Sequence, residues 1–246
     1  MRIILDKDWQ IPSKVGTDSV LIFTDNNKES FILIKLLLVD DHELVRTGIR
    51  RILEDVSDFE VVGEATNGED AVKYCRKHSP DLVLMDMSMP GIGGLEATKQ
   101  ILRFSENTRV IVLSVHKENP IPAKVMKMGA FGYLTKDSDP EEMIKAIYKV
   151  AAGQKYVSPD IAQQIALGQL NLNDSNPFEQ LSERELEITL MLTKGARVPD
   201  IAVYLNISAK TVNTYRYRMF EKLNVSTDVE LTHLALRNKL ISSDHL

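Results

Sequence analysis

The chain has 246 residues, 43% hydrophobic and 26% charged, with a formal net charge of −5. That length suits two modest domains; the acidic balance excludes a protein coated in positive charge for indiscriminate nucleic-acid binding, and no apolar run is long enough to cross a bilayer. A single cysteine, Cys75, excludes an internal disulfide framework and a thiolate metal cluster, which fits a reducing, cytoplasmic setting.

Residues 1–32 show no sustained hydrophobic period and hold the only tryptophan, Trp9. They are expected to be a disordered N-terminal extension. The regular pattern begins abruptly at Leu33-Ile34-Lys35, and one hypothesis is that the native start lies there, the upstream residues arising from a misplaced start codon. From 33 to 152, runs rich in Val, Ile and Leu alternate with segments of helical period. Strands are predicted at 36–39, 59–63, 82–85, 110–113 and 131–134, and helices at 43–54, 68–77, 93–104, 120–128 and 140–152. That alternation predicts an α/β domain built on a doubly wound five-stranded parallel sheet. Residues 153–178 are predicted to be a linker, with a short helix at 160–166 and a cluster of turn residues from Asn171 to Pro177. From 179 to 246 the pattern is helical, with capping-box signatures at Ser182-Glu183-Arg184-Glu185 and Thr227-Asp228-Val229-Glu230. A four-helix, all-α domain is expected there.

In an open parallel sheet, ligands sit outside the carboxyl ends of the strands. The first strand ends Val39-Asp40-Asp41-His42 and the third ends Met85-Asp86, so three carboxylates converge where a nucleotide-binding fold would show a glycine-rich loop. They repel one another, so a proton or a cation must sit among them, and a hard divalent ion with oxygen ligands, Mg²⁺, is the natural occupant. The fourth strand ends at Ser114 and the fifth is followed by Thr135-Lys136, which brings a hydroxyl and an ammonium to the same edge. Together these groups would neutralise the oxygens of a phosphoryl group in transfer while Asp86 acts as nucleophile and becomes an acyl phosphate. The expected chemistry is phosphoryl acceptance; the chain is not expected to be an enzyme that turns over a small substrate. Singly, Asp40 or Asp41 could cap a helix, Ser114 could bond to local backbone and Lys136 could be a solvated loop residue; their joint order along four strand ends favours the site.

Leu38-Val39-Asp40-Asp41-His42, Asp86-Met87-Ser88-Met89-Pro90-Gly91 and Gly132-Tyr133-Leu134-Thr135-Lys136 resemble the receiver domain of two-component response regulators. The resemblance implies that a sensor histidine kinase phosphorylates Asp86, that Asp40, Asp41, Asp86 and the Ser88 carbonyl hold Mg²⁺, and that Lys136 contacts the phosphoryl group. It also makes Ser114 and Tyr133 a switch pair: the hydroxyl moves toward the phosphate and the ring turns inward.

Residues 201–212 read as a helix, a tight turn and a second helix, the helix-turn-helix arrangement. Winding the second helix at roughly 100° per residue puts Val212, Tyr215, Met219 and Leu223 on an apolar stripe and Asn213, Thr214, Tyr217 and Arg218 opposite it. Asn and Thr can address base edges, Tyr can bond to sugar and phosphate, and Arg can neutralise phosphates. Lys210 and Thr211, at the helix N-terminus, are the preferred backbone contacts; Arg216 lies nearer the apolar side. Leu181-Ser182-Glu183-Arg184-Glu185, Asp200-Ile201-Ala202, Ser208-Ala209-Lys210-Thr211-Val212 and Lys222-Leu223-Asn224-Val225 resemble the LuxR-type DNA-binding domain. With the receiver, this is similar to the NarL/FixJ family, and 211–218 most resembles its GacA/UvrY/LetA subgroup. The resemblance implies binding to promoter DNA as a homodimer paired through the last helix, action with RNA polymerase, and activation of small regulatory RNA genes. Two rivals share parts of the pattern. A phosphatase of the haloacid dehalogenase type needs an aspartate where Ser88 stands, and a ligand-sensing LuxR-type regulator would not need strand ends furnished for Mg²⁺ and phosphate.

Overall fold

The computed structural model describes residues 24–25, 28–29, 33–117, 120–170 and 176–241. The chain divides into two compact units, residues 1–33 and 34–246. In the first, Thr24–Asp25 pairs antiparallel with Lys28–Glu29; the remainder of the predicted disordered extension lies outside the described residues.

The second unit opens with a parallel sheet of strands β1 (Ile34–Val39), β2 (Phe59–Ala65), β3 (Leu82–Asp86), β4 (Arg109–Ser114), β5 (Gly132–Thr135) and β6 (Tyr156–Val157), in the order β2-β1-β3-β4-β5-β6. The sheet therefore has six strands, not five. The extra strand lies inside the predicted linker, where Tyr156 and Val157 pair with Gly132 and Tyr133. Helices α1 (Glu43–Glu54), α2 (Gly68–His78), α3 (Gly93–Phe104), α4 (Ile121–Met128) and α5 (Pro140–Ala151) alternate with the strands, and α6 (Pro159–Leu170) follows β6. The two-residue period of the strands sorts their side chains. Leu36, Leu38, Leu82, Leu84, Ile111, Leu113 and Leu134 pack with Ile49 and Leu53 of α1 and Met143 and Ile147 of α5. Leu37, Val39, Val83, Met85, Val110, Val112 and Tyr133 face the other way, onto Val72 of α2, Ile101 of α3 and Val125 of α4. Burying one such side chain stabilises the fold by about 1.5–3 kcal/mol. Both faces being covered explains why these strands read as unbroken apolar runs.

Beyond a 3₁₀ turn at Pro177–Gln180 come α7 (Glu183–Thr193), α8 (Val198–Tyr204), α9 (Ala209–Leu223) and α10 (Asp228–Arg237). Ser182 and Glu185 form the predicted capping box on α7. At α10, Thr227 caps the N–H of Glu230, but the Glu230 carboxylate accepts from the N–H of Ser226, one residue earlier than a capping box requires. Asp139 is the N-cap of α5 without a side-chain cap bond. The apolar residues of α7–α10, Leu186, Leu190, Val212, Met219 and Leu231 among them, belong to the same buried cluster as the α2–α3–α4 face of the sheet.

Candidate functional site

The strand order reverses at β1, which has β2 on one side and β3 on the other, and the crevice beside such a reversal is where open α/β sheets bind ligands. Register delivers the acids to it: Val39 lies opposite Met85, so the next residues, Asp40 and Asp86, leave the sheet side by side. Asp86 also lies opposite Leu113 and Ser114 opposite Thr135, which carries Ser114 and Lys136 to the same edge. Glycine is required beneath: a Cβ on Gly94 would stand 1.8 Å from the Asp86 carbonyl oxygen.

Asp40 and Asp86 are 2% and 1% exposed. The Lys136 ammonium bridges them, 2.6 Å from Asp40 Oδ2 and 2.9 Å from Asp86 Oδ2. Burial pushes the Asp86 carboxyl up to about 6; Lys136 opposes the rise and Asp40 adds to it. Asp40, Asp41, His42 and Asp86 each bring one ligand atom within 4.8 Å of the others. Asp41 Oδ1 and Asp86 Oδ2 are buried without a hydrogen-bond partner; at Asp86 Oδ2 the lysine contact is an ion pair. Oxygens with unused lone pairs, gathered at one point, fit a hard divalent cation. The Ser88 N–H donates to Asp86 Oδ1 at 3.2 Å, fixing the loop whose carbonyl was expected to contribute. Ser114 is buried, its hydroxyl accepting the His116 N–H at 3.0 Å and lying 3.7 Å from Met87 Sδ. The Tyr133 ring points inward, fully buried, and its hydroxyl donates to the His116 carbonyl. Burial raises the Tyr133 phenol well above its ordinary range, with Ser114 opposing.

Three contributors escaped the sequence analysis. His42 stands beside Asp40 and Asp41. Arg46, one helical turn on, donates to the Asp40 carbonyl at 2.8 Å and pairs with Glu64 at 3.0 Å. Tyr204 ends α8, and its carbonyl accepts the Gly91 N–H at 2.9 Å. Burial, then the negative charges of Asp41, Glu187, Asp86 and Asp40, raise the Tyr204 phenol, which places α8 close to the acidic crevice. The position of His42 in Asp40-Asp41-His42 was a usable signal; the contact of Tyr204, 113 residues beyond Gly91 in the chain, left none.

That contact is part of a wider seam. Arg184 Nη2 donates to the carbonyls of Gly91 and Leu205 at 3.1 and 3.0 Å, Lys124 of α4 donates to the Leu181 carbonyl, and Lys99 stands 3.6 Å from Glu183. A cavity of about 200 Å³ remains between the two sides, lined by Met87, His116, Leu190, Met191 and Tyr204 among others. Away from the seam, Lys210, Thr214, Tyr217 and Arg218 of α9 are exposed, and Thr211 and Asn213 are half-buried. The Thr211 N–H and hydroxyl are both engaged by the Ser208 cap, and the Thr214 hydroxyl donates to the Lys210 carbonyl. Val212, Met219 and Leu223 are buried as the helical winding requires. Arg216 has a structural task, gripping Asp228 of α10 through two bonds of 2.8 Å. Lys222 is likewise committed, 2.6 Å from Glu185.

Known proteins share this organisation. Residues 36–148 match the response regulator receiver domain, and 179–235 match the bacterial regulatory proteins of the luxR family. Response regulator UvrY of Escherichia coli (strain K12) is 60% identical over 215 residues, spanning 87% of this chain and 99% of that protein. Response regulator GacA of Pseudomonas aeruginosa is 52% identical over 213 residues, 86% of this chain and 99% of the relative. Among solved structures, the RcsB response regulator of Salmonella typhimurium is 26% identical with a TM-score of 0.54, covering 82% of this chain and 97% of its own. Another RcsB structure, with a TM-score of 0.53, at the same identity and coverage, holds two dimers bound to two parallel DNAs. The chain belongs to the response regulators of the NarL/FixJ family, transcription regulators that join a receiver to a LuxR-type DNA-binding domain. Within that family it falls in the GacA/UvrY subgroup.

Proposed function

We propose that Asp86 accepts a phosphoryl group from a sensor histidine kinase in the cytoplasm and that the resulting change is read out as binding of promoter DNA through α9. The observation that carries this is the buried Asp86 carboxylate, held between the Lys136 ammonium and the paired acids Asp40 and Asp41 at the point of strand reversal. A carboxylate oxygen of Asp86 attacks phosphorus, the phosphorus–nitrogen bond of the donor phosphohistidine breaks, and the electron pair leaves with the imidazole. Lys136 neutralises the oxygens of the incoming group. Mg²⁺, held by Asp40, Asp41, Asp86 and the Ser88 carbonyl, would supply the remaining positive charge. Ser114 donates to the phosphoryl group once it turns from Met87, and Tyr133 completes the switch pair.

The receiver is assigned to 33–152 and the DNA-binding domain to 179–246. Lys210 and Thr211 anchor phosphates, and Asn213, Thr214, Tyr217 and Arg218 face the groove. The RcsB dimers on DNA support a homodimer on an inverted repeat, acting with RNA polymerase, and the GacA/UvrY kinship supports activation of small regulatory RNA genes. The deciding experiment is molar mass by light scattering, with Mg²⁺ and beryllofluoride as the phosphoryl mimic, alongside Asp86→Asn. Dimer formation by the wild type alone is expected. Dimer formation induced alike in both proteins would remove Asp86 as the acceptor; no change in either would mean that the switch acts by releasing one domain from the other, or that the dimer forms without phosphate.

A further inference from the structure

We propose that the cavity in the seam is a ligand site for a small neutral aromatic molecule carrying one N–H or O–H donor, of the phenol or indole kind, with Glu187 as its polar anchor. The site stands apart from phosphoryl acceptance at Asp86, and its test does not depend on that reading.

The cavity is bordered from both sides of the seam: Met87, Leu95 and Ile121 come from the receiver, and Leu186, Leu190 and Met191 from α7. At about 200 Å³ it exceeds the roughly 150 Å³ that takes up benzene when lined by Leu, Ile and Phe. One substituted ring, or a fused pair, matches that size. These apolar side chains favour an organic occupant over water, which needs about two to four polar partners. The thioethers of Met87 and Met191, one on each side, favour a ring. Glu187 supplies the polar end of the site. Arg184 Nη1 holds its Oε2 at 2.7 Å, whereas Oε1 is buried with no hydrogen-bond partner, a state that an N–H or O–H donor relieves. Charge decides between donors. A cation would meet the guanidinium of Arg184 and the ammonium of Lys194, which also borders the cavity. An anion would meet Glu187 and the field of Asp41 and Asp86, which reaches Tyr204 on the same wall. A neutral donor avoids both. Because the walls belong to both sides of the seam, an occupant binds the docked arrangement and favours it over a separated one.

The test is titration of the full-length protein with phenol, indole and toluene, followed by nuclear magnetic resonance of methyl-labelled methionine, with the two signals assigned through Met87→Leu and Met191→Leu. Wild type, Glu187→Leu and Leu190→Trp are compared, each checked for fold by circular dichroism. Phenol and toluene are alike in size and differ in the donor. Phenol and indole are expected to shift both methyls saturably and to raise the thermal midpoint, phenol binding at least about tenfold tighter than toluene. Glu187→Leu is expected to erase that preference. Leu190→Trp, which puts a larger side chain into the cavity, is expected to abolish saturable binding; should it fail to fold, Glu187→Leu alone keeps the test decisive. No saturable shift in the wild type, a shift of only one of the two methyls, equal binding of phenol and toluene, or retained binding in a folded Leu190→Trp would overturn the proposal.

Discussion

Asp86 carries opposing demands: the proposed nucleophile has to be ionised to attack, yet it is buried beside Asp40. Its carboxyl is raised from 3.8 to about 6 in the fold, so the metal-free protein gains most from it below pH 3.8 and loses that contribution as pH rises through 6. Asp86→Asn removes the titration. At pH 7 the metal-free variant should melt higher than the wild type, by on the order of 2–3 kcal/mol, while incorporating no phosphoryl group from a small-molecule donor. A lower melting temperature would show that Lys136 outweighs burial and Asp40. Gly94→Ala should act in the opposite direction: a methyl 1.8 Å from the Asp86 carbonyl forces the β3–α3 turn to move, costing roughly 1–3 kcal/mol and weakening metal binding. A variant with unchanged melting and unchanged affinity would contradict the contact.

At the scale of elements, α9 divides its labour by face. Val212 and Met219 are buried against the other helices, Arg216 is pinned to Asp228, and Lys210 and Arg218 remain exposed. Lys210→Ala should therefore weaken binding on all DNA sequences alike and flatten the salt dependence by about one unit of slope, measured by fluorescence anisotropy across a salt series; altered sequence preference would make Lys210 a base reader. Much of this was legible beforehand. Continuous apolar runs gave five strands, Ser182 and Glu185 marked the start of α7, and the helical period separated the buried from the open side of α9. What escaped was set by distant partners. Tyr156 and Val157 carry no alternation and become β6 only by pairing with Gly132 and Tyr133. The helix expected at 160–166 extends over Pro159–Leu170; its Ile161 is buried in the cluster shared with α4. The winding of α9 set Arg216 nearer the apolar side, but its partner Asp228, like the Glu185 partner of Lys222, was out of sight in a one-dimensional count.

Across the whole molecule, the seam between receiver and DNA-binding helices contains a second displaced carboxyl. Burial pushes Glu187 up to about 7 against the pull of Arg184, its Oε1 has no hydrogen-bond partner, and a Cβ on Gly93 would lie 2.6 Å from it. An acid whose pKa rises from 4.5 to about 7 on folding stabilises fully below pH 4.5, and that contribution disappears as pH climbs through 7. The thermal midpoint should fall between pH 5 and 7, with about 3 kcal/mol at stake, and Glu187→Gln should flatten the profile. An unchanged slope in the variant would place the titration elsewhere.

The receiver grips α7 and the end of α8, while the face of α9 proposed to read DNA looks outward. Contact of this kind does not sheathe the DNA-binding surface; it sets its bearing. Half-sites read by paired helix-turn-helix units lie about 34 Å apart along one side of the duplex, so two such rigid copies can engage together only if their receivers also fall at the matching distance. In the proposed homodimer the seam would work as a gauge, tying the spacing of a pair of signalling domains to the spacing of the grooves they address.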